Sequence, residues 1–340
     1  MPGSQSPSPN SGQLVDEPRR RPPKVLGPAD KVFGLVARLS GGTVLVIMGT
    51  VGIFLGMQAW PALRSAGWGF LTRQEWEPSS GRFGIAAVLF GTVAIGFVAI
   101  IIAVPFAIGT ALYISEYAPA RLQRTFVSLV DLMAAVPSVV YGLWGVFFLQ
   151  EYVVGLAQWM STYVGWIPIF ATPGRDPRDP LGSLTDFKSS AFVAGLVVAL
   201  MVTPIASSVM REAFSQAPQG EREGAYALGA TRWGMIRDDI LPYGRGAIIG
   251  GTMLGLGRAL GETITVAMIV SPLFEIHWQV LEKGSISVSS LIALRYGESS
   301  AFSLSALFAA GLALFLMTMA VNFLASMIVA RSRSGAGSEA

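Results

Sequence analysis

Arg258 and Glu262 stand four residues apart in an otherwise apolar stretch, Ala247 to Leu273, of a 340-residue chain. On a helix that spacing puts both side chains on one face, one turn apart. Holding a charge at the centre of a bilayer costs at least about 2.5–3.5 kcal/mol on insertion scales, and an exposed ion pair returns only about 0–1 kcal/mol. Pairing alone therefore does not account for the presence of both groups. Two readings stay open. In one, the Arg258 guanidinium, a fork of donors suited to phosphate oxygens, lies on an anion path and Glu262 pairs with it at rest, so that an anion competes with the internal carboxylate. In the other, the two form a permanent ion pair that orients the helix without touching substrate. Thr263, Thr265, Ser207 and Ser208 are hydroxyl donors for the same route, although Ser and Thr in membrane helices more often bond to backbone or to neighbouring helices.

Most other chemistry is excluded. The chain has no cysteine and one histidine, His277, so it can assemble neither a disulfide framework nor a Cys- or His-clustered metal site. His277, in Phe274-Glu275-Ile276-His277-Trp278, reads as an ordinary interface residue. Asp131, entering the third apolar stretch, is favourable at a helix start and functionally bland. Gly251, Gly255, Gly257 and Gly261 invite a nucleotide-loop reading, but they sit inside an apolar stretch with no preceding strand, and their four-residue spacings suit close helix packing. No Gly-x-x-x-x-Gly-Lys-Ser/Thr run occurs, so the chain has no P-loop with which to hold ATP phosphates.

The elements that must position these residues are membrane-length helices. The chain is 52% hydrophobic and 13% charged, where soluble domains carry about 25% charged residues. Six stretches are long enough to cross a bilayer core: Leu39 to Trp60, Gly84 to Ile114, Phe126 to Phe148, Ala191 to Val209, Ala247 to Leu273 and Leu304 to Ala330. The expected fold class is an all-α integral membrane protein of six transmembrane helices. Pro105, Pro137 and Pro204 fall inside the second, third and fourth stretches and predict kinks. Tyr152 to Phe170 is apolar but broken by Gln158, Ser161, Thr162, Gly165 and Pro168, with Trp159, Tyr163 and Trp166 among them. It reads as an external amphipathic or re-entrant segment within a partly apolar loop, 150–190.

Residues 1–30 are rich in Pro, Ser and Gly, and read as a disordered cytoplasmic tail ahead of a membrane domain over 31–340. With the N-terminus inside, 15 Lys/Arg fall on the inner side against 8 in the outer loops. The positive-inside rule then puts both termini, and the polar loop 215–245, in the cytoplasm.

Within that loop, Glu221 to Gly229 has helical character, with Gly229 placed where helices commonly stop. A second short helix is expected from Thr231 to Ile240, ended by Pro242. On spacing alone the loop could equally be a solvated connector. Glu223-Gly224-Ala225, then Gly229, then Leu241-Pro242, resemble the EAA loop of ABC importer permeases, with Gly224 in place of the usual second Ala and Asp239 where an apolar residue is common. The flanking runs, Thr203-Pro204-Ile205-Ala206-Ser207-Ser208 and Gly257-Arg258-Ala259-Leu260-Gly261-Glu262-Thr263, resemble the phosphate-specific (Pst) permeases. Ser40-Gly41-Gly42 through Trp60-Pro61 is similar to their PstC type. Resemblance covers most of residues 31–331.

The resemblance implies a type I importer permease fold with a cytoplasmic coupling helix, in the plasma membrane of a prokaryote. Glu221, Glu223, Gly224, Ala225, Gly229, Leu241 and Pro242 would meet a separate ATPase; Arg258, Glu262 and Thr263 are the candidates for the substrate path, and the resemblance supports a role for Arg258 and Glu262 without deciding which of the two readings holds. It implies as partners a homologous second permease subunit (PstA type), two ATPase subunits (PstB type) that bind the ATP and Mg this chain does not, and an external phosphate-binding protein (PstS type). A permease for sulfate or molybdate, or an ATPase-independent carrier or channel, are the alternatives. No metal site and no catalytic residue are expected.

Overall fold

The computed structural model describes residues 27–173, 185–298 and 300–333. The expected tail therefore lies outside the described residues up to 26, and so does 174–184 of the loop before the fourth apolar stretch. The chain divides into two compact units, Met1–Val51 and Gly52–Ala340. The described part of the first is the leading half of helix α1 (Pro28–Ala66). Its large apolar side chains, among them Val32, Phe33, Leu45 and Ile47, are exposed. A helix that is apolar on all sides suits a lipid environment.

The second unit is a helical bundle. It comprises the rest of α1, a short hairpin of β1 (Trp76–Glu77) and β2 (Arg82–Phe83), then α2 (Ala86–Tyr117), α3 (Ala120–Ala135), α4 (Ser138–Val164) and α5 (Ala191–Ser215). After these come α6 (Gln219–Ala227), α7 (232–243), α8 (Arg245–Gly261), α9 (Ile264–Ile269), α10 (Val288–Arg295) and α11 (Ala301–Arg333). Small residues decide which helices meet, because lipid gives apolar side chains no reason to leave it and close backbone approach is what remains. Ala99, Ala103 and Ala107 on α2 face Ala194, Gly195, Ala199 and Ala206 on α5, all buried. A Cβ on Gly195 would lie 2.5 Å from Val98 Cγ1.

Gly251 and Gly255 bring α8 onto α5 in the same way: a Cβ on Gly255 would stand 2.5 Å from Val202 Cγ1, and one on Gly251 would stand 3.0 Å from the Ala206 carbonyl oxygen. The second glycine pair does not behave as the spacing suggests. Gly257 meets only Asn322 Oδ1, at 3.6 Å, and Gly261 would meet nothing within 4 Å.

Five helices among the described residues are long and apolar enough to cross a membrane: α1, α2, α4, α5 and α11. The fifth expected span, Ala247 to Leu273, is divided between α8 and α9 by a break at Glu262 and Thr263. The third expected span is also redrawn. Proline disfavours helical backbone at the residue before it, and Val136 is extended at ψ 129°. Pro137 therefore separates α3 from α4 instead of kinking one span.

The displaced boundary carries α4 through a π-helical turn, Gly145–Leu149, to Val164. Most of the segment expected outside thus forms the second half of a membrane-length helix. Its polar groups find local partners: Thr162 Oγ1 donates to the Gln158 carbonyl at 2.8 Å, and the Ser161 and Thr172 hydroxyls meet at 2.8 Å. Pro105 and Pro204 lie inside continuous helices, and both Ser207 and Ser208 donate to the Pro204 carbonyl, at 3.0 and 2.9 Å.

At the end of the bundle where α2 begins, the hairpin buries Phe83 against Phe70, Trp76 and Phe302. At the end where α2 finishes, a separate core joins Ala111 and Leu112 to Met210 and Phe214 of α5 and to Met235, Ile236 and Ile240 of α7.

Candidate functional site

Two places emerge. The first is the break between α8 and α9. Glu262 has extended backbone (φ −67°, ψ 126°) and its side chain turns to cap the next helix. One carboxyl oxygen, Oε1, accepts from the Thr265 N–H at 3.2 Å and from the Thr265 hydroxyl at 2.8 Å. That hydroxyl also lies 3.0 Å from the Ser138 carbonyl at the start of α4, so its single hydrogen is shared between two acceptors. The Glu262 carbonyl accepts from the Ser289 hydroxyl on α10 at 2.8 Å. Glu262 thus ties α9, α4 and α10 together from a position only 7% exposed. Thr263, partly buried, donates to the Gly261 carbonyl at 3.1 Å.

This arrangement overturns the expected Arg258–Glu262 pair. Four residues place two side chains on one face only while the helix continues, and here it stops at Gly261. The two residues form no ion pair. The Arg258 guanidinium is exposed and borders a groove of about 660 Å³ with Gly257, Gly261, Thr318 and Asn322. It is a fork of donors, with no hydrogen-bond acceptor or carboxylate partner among the described residues, on an apolar helix. Arrangements of this kind suit planar, bidentate recognition of an oxyanion. Ser207, Ser208 and Thr265 spend their hydroxyls on the chain itself, as described above.

The second place is the end of the bundle carrying α6 and α7. Pro218 leads into α6, and Gly229 closes it at φ +83°, a backbone conformation that favours glycine. The Gly229 N–H reaches the Tyr226 carbonyl and the Ala230 N–H the Ala225 carbonyl, both at 3.0 Å, which is the double bond of a Schellman ending. Glu221, Glu223 and Gly224 are exposed, whereas Ala225 and Leu241 pack on the core formed by α2, α5 and α7. Leu228, 91% exposed, and Trp233 add apolar surface beside the acidic residues.

The helix after Gly229 begins as expected, its N–H at Gly234 bonded to the Thr231 hydroxyl at 3.1 Å. It does not end at Pro242. A π-helical turn at Ile236–Ile240 leads into Leu241–Tyr243, and Gly244 closes the element with its N–H on the Ile240 carbonyl at 2.9 Å.

Three residues here went unnoticed as site candidates: Glu116, Arg222 and Arg232. Glu116 lies in the π-helical turn that finishes α2. Arg222 on α6 reaches its two carboxylate oxygens at 3.2 and 3.3 Å, and Arg232 donates to its backbone carbonyl. An acidic residue closing an apolar stretch was the available signal, but nothing local connects positions 106 apart.

Residues 103–334 match the family described as binding-protein-dependent transport system inner membrane component. The chain is 35% identical over 332 residues to the phosphate transport system permease protein PstC 2 of Mycobacterium tuberculosis, covering 95% of this chain and all of that one. It is 34% identical over 304 residues to the phosphate transport system permease protein PstC of Xylella fastidiosa, covering 89% and 91%. Its fold is similar to a chain in the crystal structure of a bacterial alginate ABC transporter in complex with an alginate pentasaccharide-bound periplasmic protein, with a TM-score of 0.58 at 17% identity, covering 88% and 95%. Membrane-length helices, one of them broken at a buried carboxyl group, with a short exposed helix at one end, are thus accounted for: the chain is a multi-pass membrane protein that belongs to the family of binding-protein-dependent transport system inner membrane components, among the permeases named PstC.

Proposed function

We propose that this chain is one membrane half of an ATP-driven importer of inorganic phosphate, without an ATPase site of its own. The observation that carries the reading is likeness along nearly the whole chain to permeases named for phosphate transport, rather than to a shared domain alone. Two features of the structure support it. A guanidinium with no ion-pair partner among the described residues borders a groove, and a short helix bearing Glu221, Glu223 and Gly224 is displayed to solvent at one end of the bundle.

In this reading Arg258 receives phosphate oxygens. Glu262 and Thr263 hold the break beside it, and Glu262 acts by capping α9 instead of by pairing with Arg258. α6, together with Gly229, Leu241 and Pro242, docks a separate ATPase that holds ATP and Mg. A homologous second permease completes the path, two ATPase subunits drive it and an external phosphate-binding protein feeds it. Both termini face the cytoplasm, on the side where 15 of the Lys and Arg residues fall. Energy enters because the docking surface binds differently to the two states of the ATPase, which is the requirement for any ligand-driven shift between conformations.

The test is uptake of labelled phosphate into vesicles containing the reconstituted complex, with and without ATP and the binding protein. Uptake that requires both supports the reading. Failure of phosphate to move while sulfate or molybdate moves overturns the cargo, and phosphate flux without ATP overturns the ATPase coupling.

A further inference from the structure

α6 is nine residues long and its acidic face is displayed to solvent. Whatever pushes on it acts on the bundle through the short backbone links to α5 and α7 and through two sets of side-chain contacts. One is the apolar core around Phe214, Met235 and Ile236, and apolar contacts are non-directional. The other is polar and directional. Arg222 Nη1 donates to Glu116 Oε2 at 3.3 Å, while Arg222 Nη2 stands 3.2 Å from Glu116 Oε1 and donates to the Phe214 carbonyl near the end of α5 at 2.7 Å. Glu116 Oε1 has charge contact but no aligned hydrogen bond, so the Oε2 bond sets the direction.

Arg232 of α7 donates to the Glu116 carbonyl, and its guanidinium lies 4.6 Å from the Tyr117 ring centroid. The Glu116 carboxylate, its side chain 5% exposed, therefore joins α2 to α6 through Arg222, which carries the contact on to α5, while Arg232 of α7 holds the Glu116 backbone carbonyl. One charge-assisted hydrogen bond with a second charge contact beside it is directional and strong for its kind, and at this burial salt screens it little. The two long helices it reaches, α2 and α5, are also the pair locked together by Gly195 and the buried alanines.

We propose that Glu116 is a positioning residue for energy coupling: with Arg222 and Arg232 it forms a joint that stays closed through the transport cycle and delivers displacement of α6 to α2 and α5. The proposal rests on the reading that α6 docks an ATPase. Its test uses the full complex in vesicles, with phosphate moved per ATP hydrolysed as the readout. Glu116→Ala is expected to keep the ATPase subunits bound and hydrolysing while that ratio falls by about tenfold or more, within the usual range for loss of coupling between two sites.

The chain has no cysteine of its own, so the double substitution Glu116→Cys with Arg222→Cys allows the joint to be made and broken in one preparation. Bridged by a short reducible bifunctional thiol reagent, it is expected to return the ratio towards that of the unsubstituted chain, and reduced or unbridged it is expected to lose it. This comparison decides the matter even where Glu116→Ala fails to assemble. An unchanged ratio in Glu116→Ala overturns the proposal. So does transport that stops on cross-linking and resumes on reduction, since the contact would then have to open. Failure of the underlying reading looks different: ATPase subunits that do not co-purify with the unsubstituted chain, or that bind equally well after Glu223→Lys.

Discussion

Glu262 accepts two hydrogen bonds from Thr265, one from its N–H at 3.2 Å and one from its hydroxyl at 2.8 Å, and makes no ion pair with Arg258. The carboxyl group thereby starts a helix instead of neutralising a charge, and the arginine four residues before it is left facing a groove. These two jobs, separate in the structure, make separable predictions.

Arg258→Ala is expected to abolish phosphate uptake while leaving the subunit assembled, because the exposed guanidinium supports little packing of its own. Arg258→Lys is expected to restore uptake poorly, since an ammonium cannot present the planar pair of donors. Uptake measured beside subunit co-purification checks both, and normal uptake by an assembled Arg258→Ala complex would sink the anion role.

Glu262→Ala removes the acceptor that holds the start of α9 and is expected to cost about 0.5–2 kcal/mol, the range for a lost N-terminal cap. Glu262→Gln keeps an acceptor oxygen and should recover most of that loss. The midpoint of thermal unfolding in detergent reads the order wild type, Gln, Ala. A Gln variant as unstable as the Ala variant would show that charge, not capping, is what position 262 supplies.

Gly195→Ala places a Cβ 2.5 Å from Val98 Cγ1, against a branched side chain with little freedom to turn. A destabilisation of about 1–3 kcal/mol is expected from such overpacking. Gly261→Ala, with nothing within 4 Å of the added carbon, should be neutral or slightly stabilising. Thermal midpoints of the two variants, compared in one detergent, test whether the α2–α5 contact is as close as described.

Gly229→Ala forces a side chain into the left-handed region at φ +83° and is expected to cost about 1–2 kcal/mol at the end of α6. Because that helix is displayed at the surface, the loss should appear as weaker co-purification of the ATPase subunits and lower ATP-dependent uptake, with the thermal midpoint of the bundle barely changed. Full ATPase binding by this variant would mean that the ending of α6 does not shape the docking surface.

Composition, spacing and a few local signals determined a good deal. The apolar stretches announced an all-helical membrane protein, because a backbone in lipid must bond to itself. Gly229 announced the end of α6, because a left-handed residue at a helix terminus favours glycine. Gly251 and Gly255 announced close packing, and the Glu223 to Pro242 pattern with the Arg258 to Thr263 run announced the family.

Only the tertiary structure decided where the helices stop. Whether Pro137 kinks a span or ends it depends on whether Val136 is pushed to extended backbone, and whether α8 continues past Gly261 depends on partners at Thr265, Ser138 and Ser289, the last two distant in sequence. Residues four apart share a face only on an unbroken helix, so the break separated Arg258 from Glu262. A buried carboxylate with an arginine partner, Glu116, is joined across 106 residues to Arg222 by the way α2 ends against α6. Periodicity reports the neighbours a residue has along its own helix; it carries no record of the neighbours that folding brings from elsewhere.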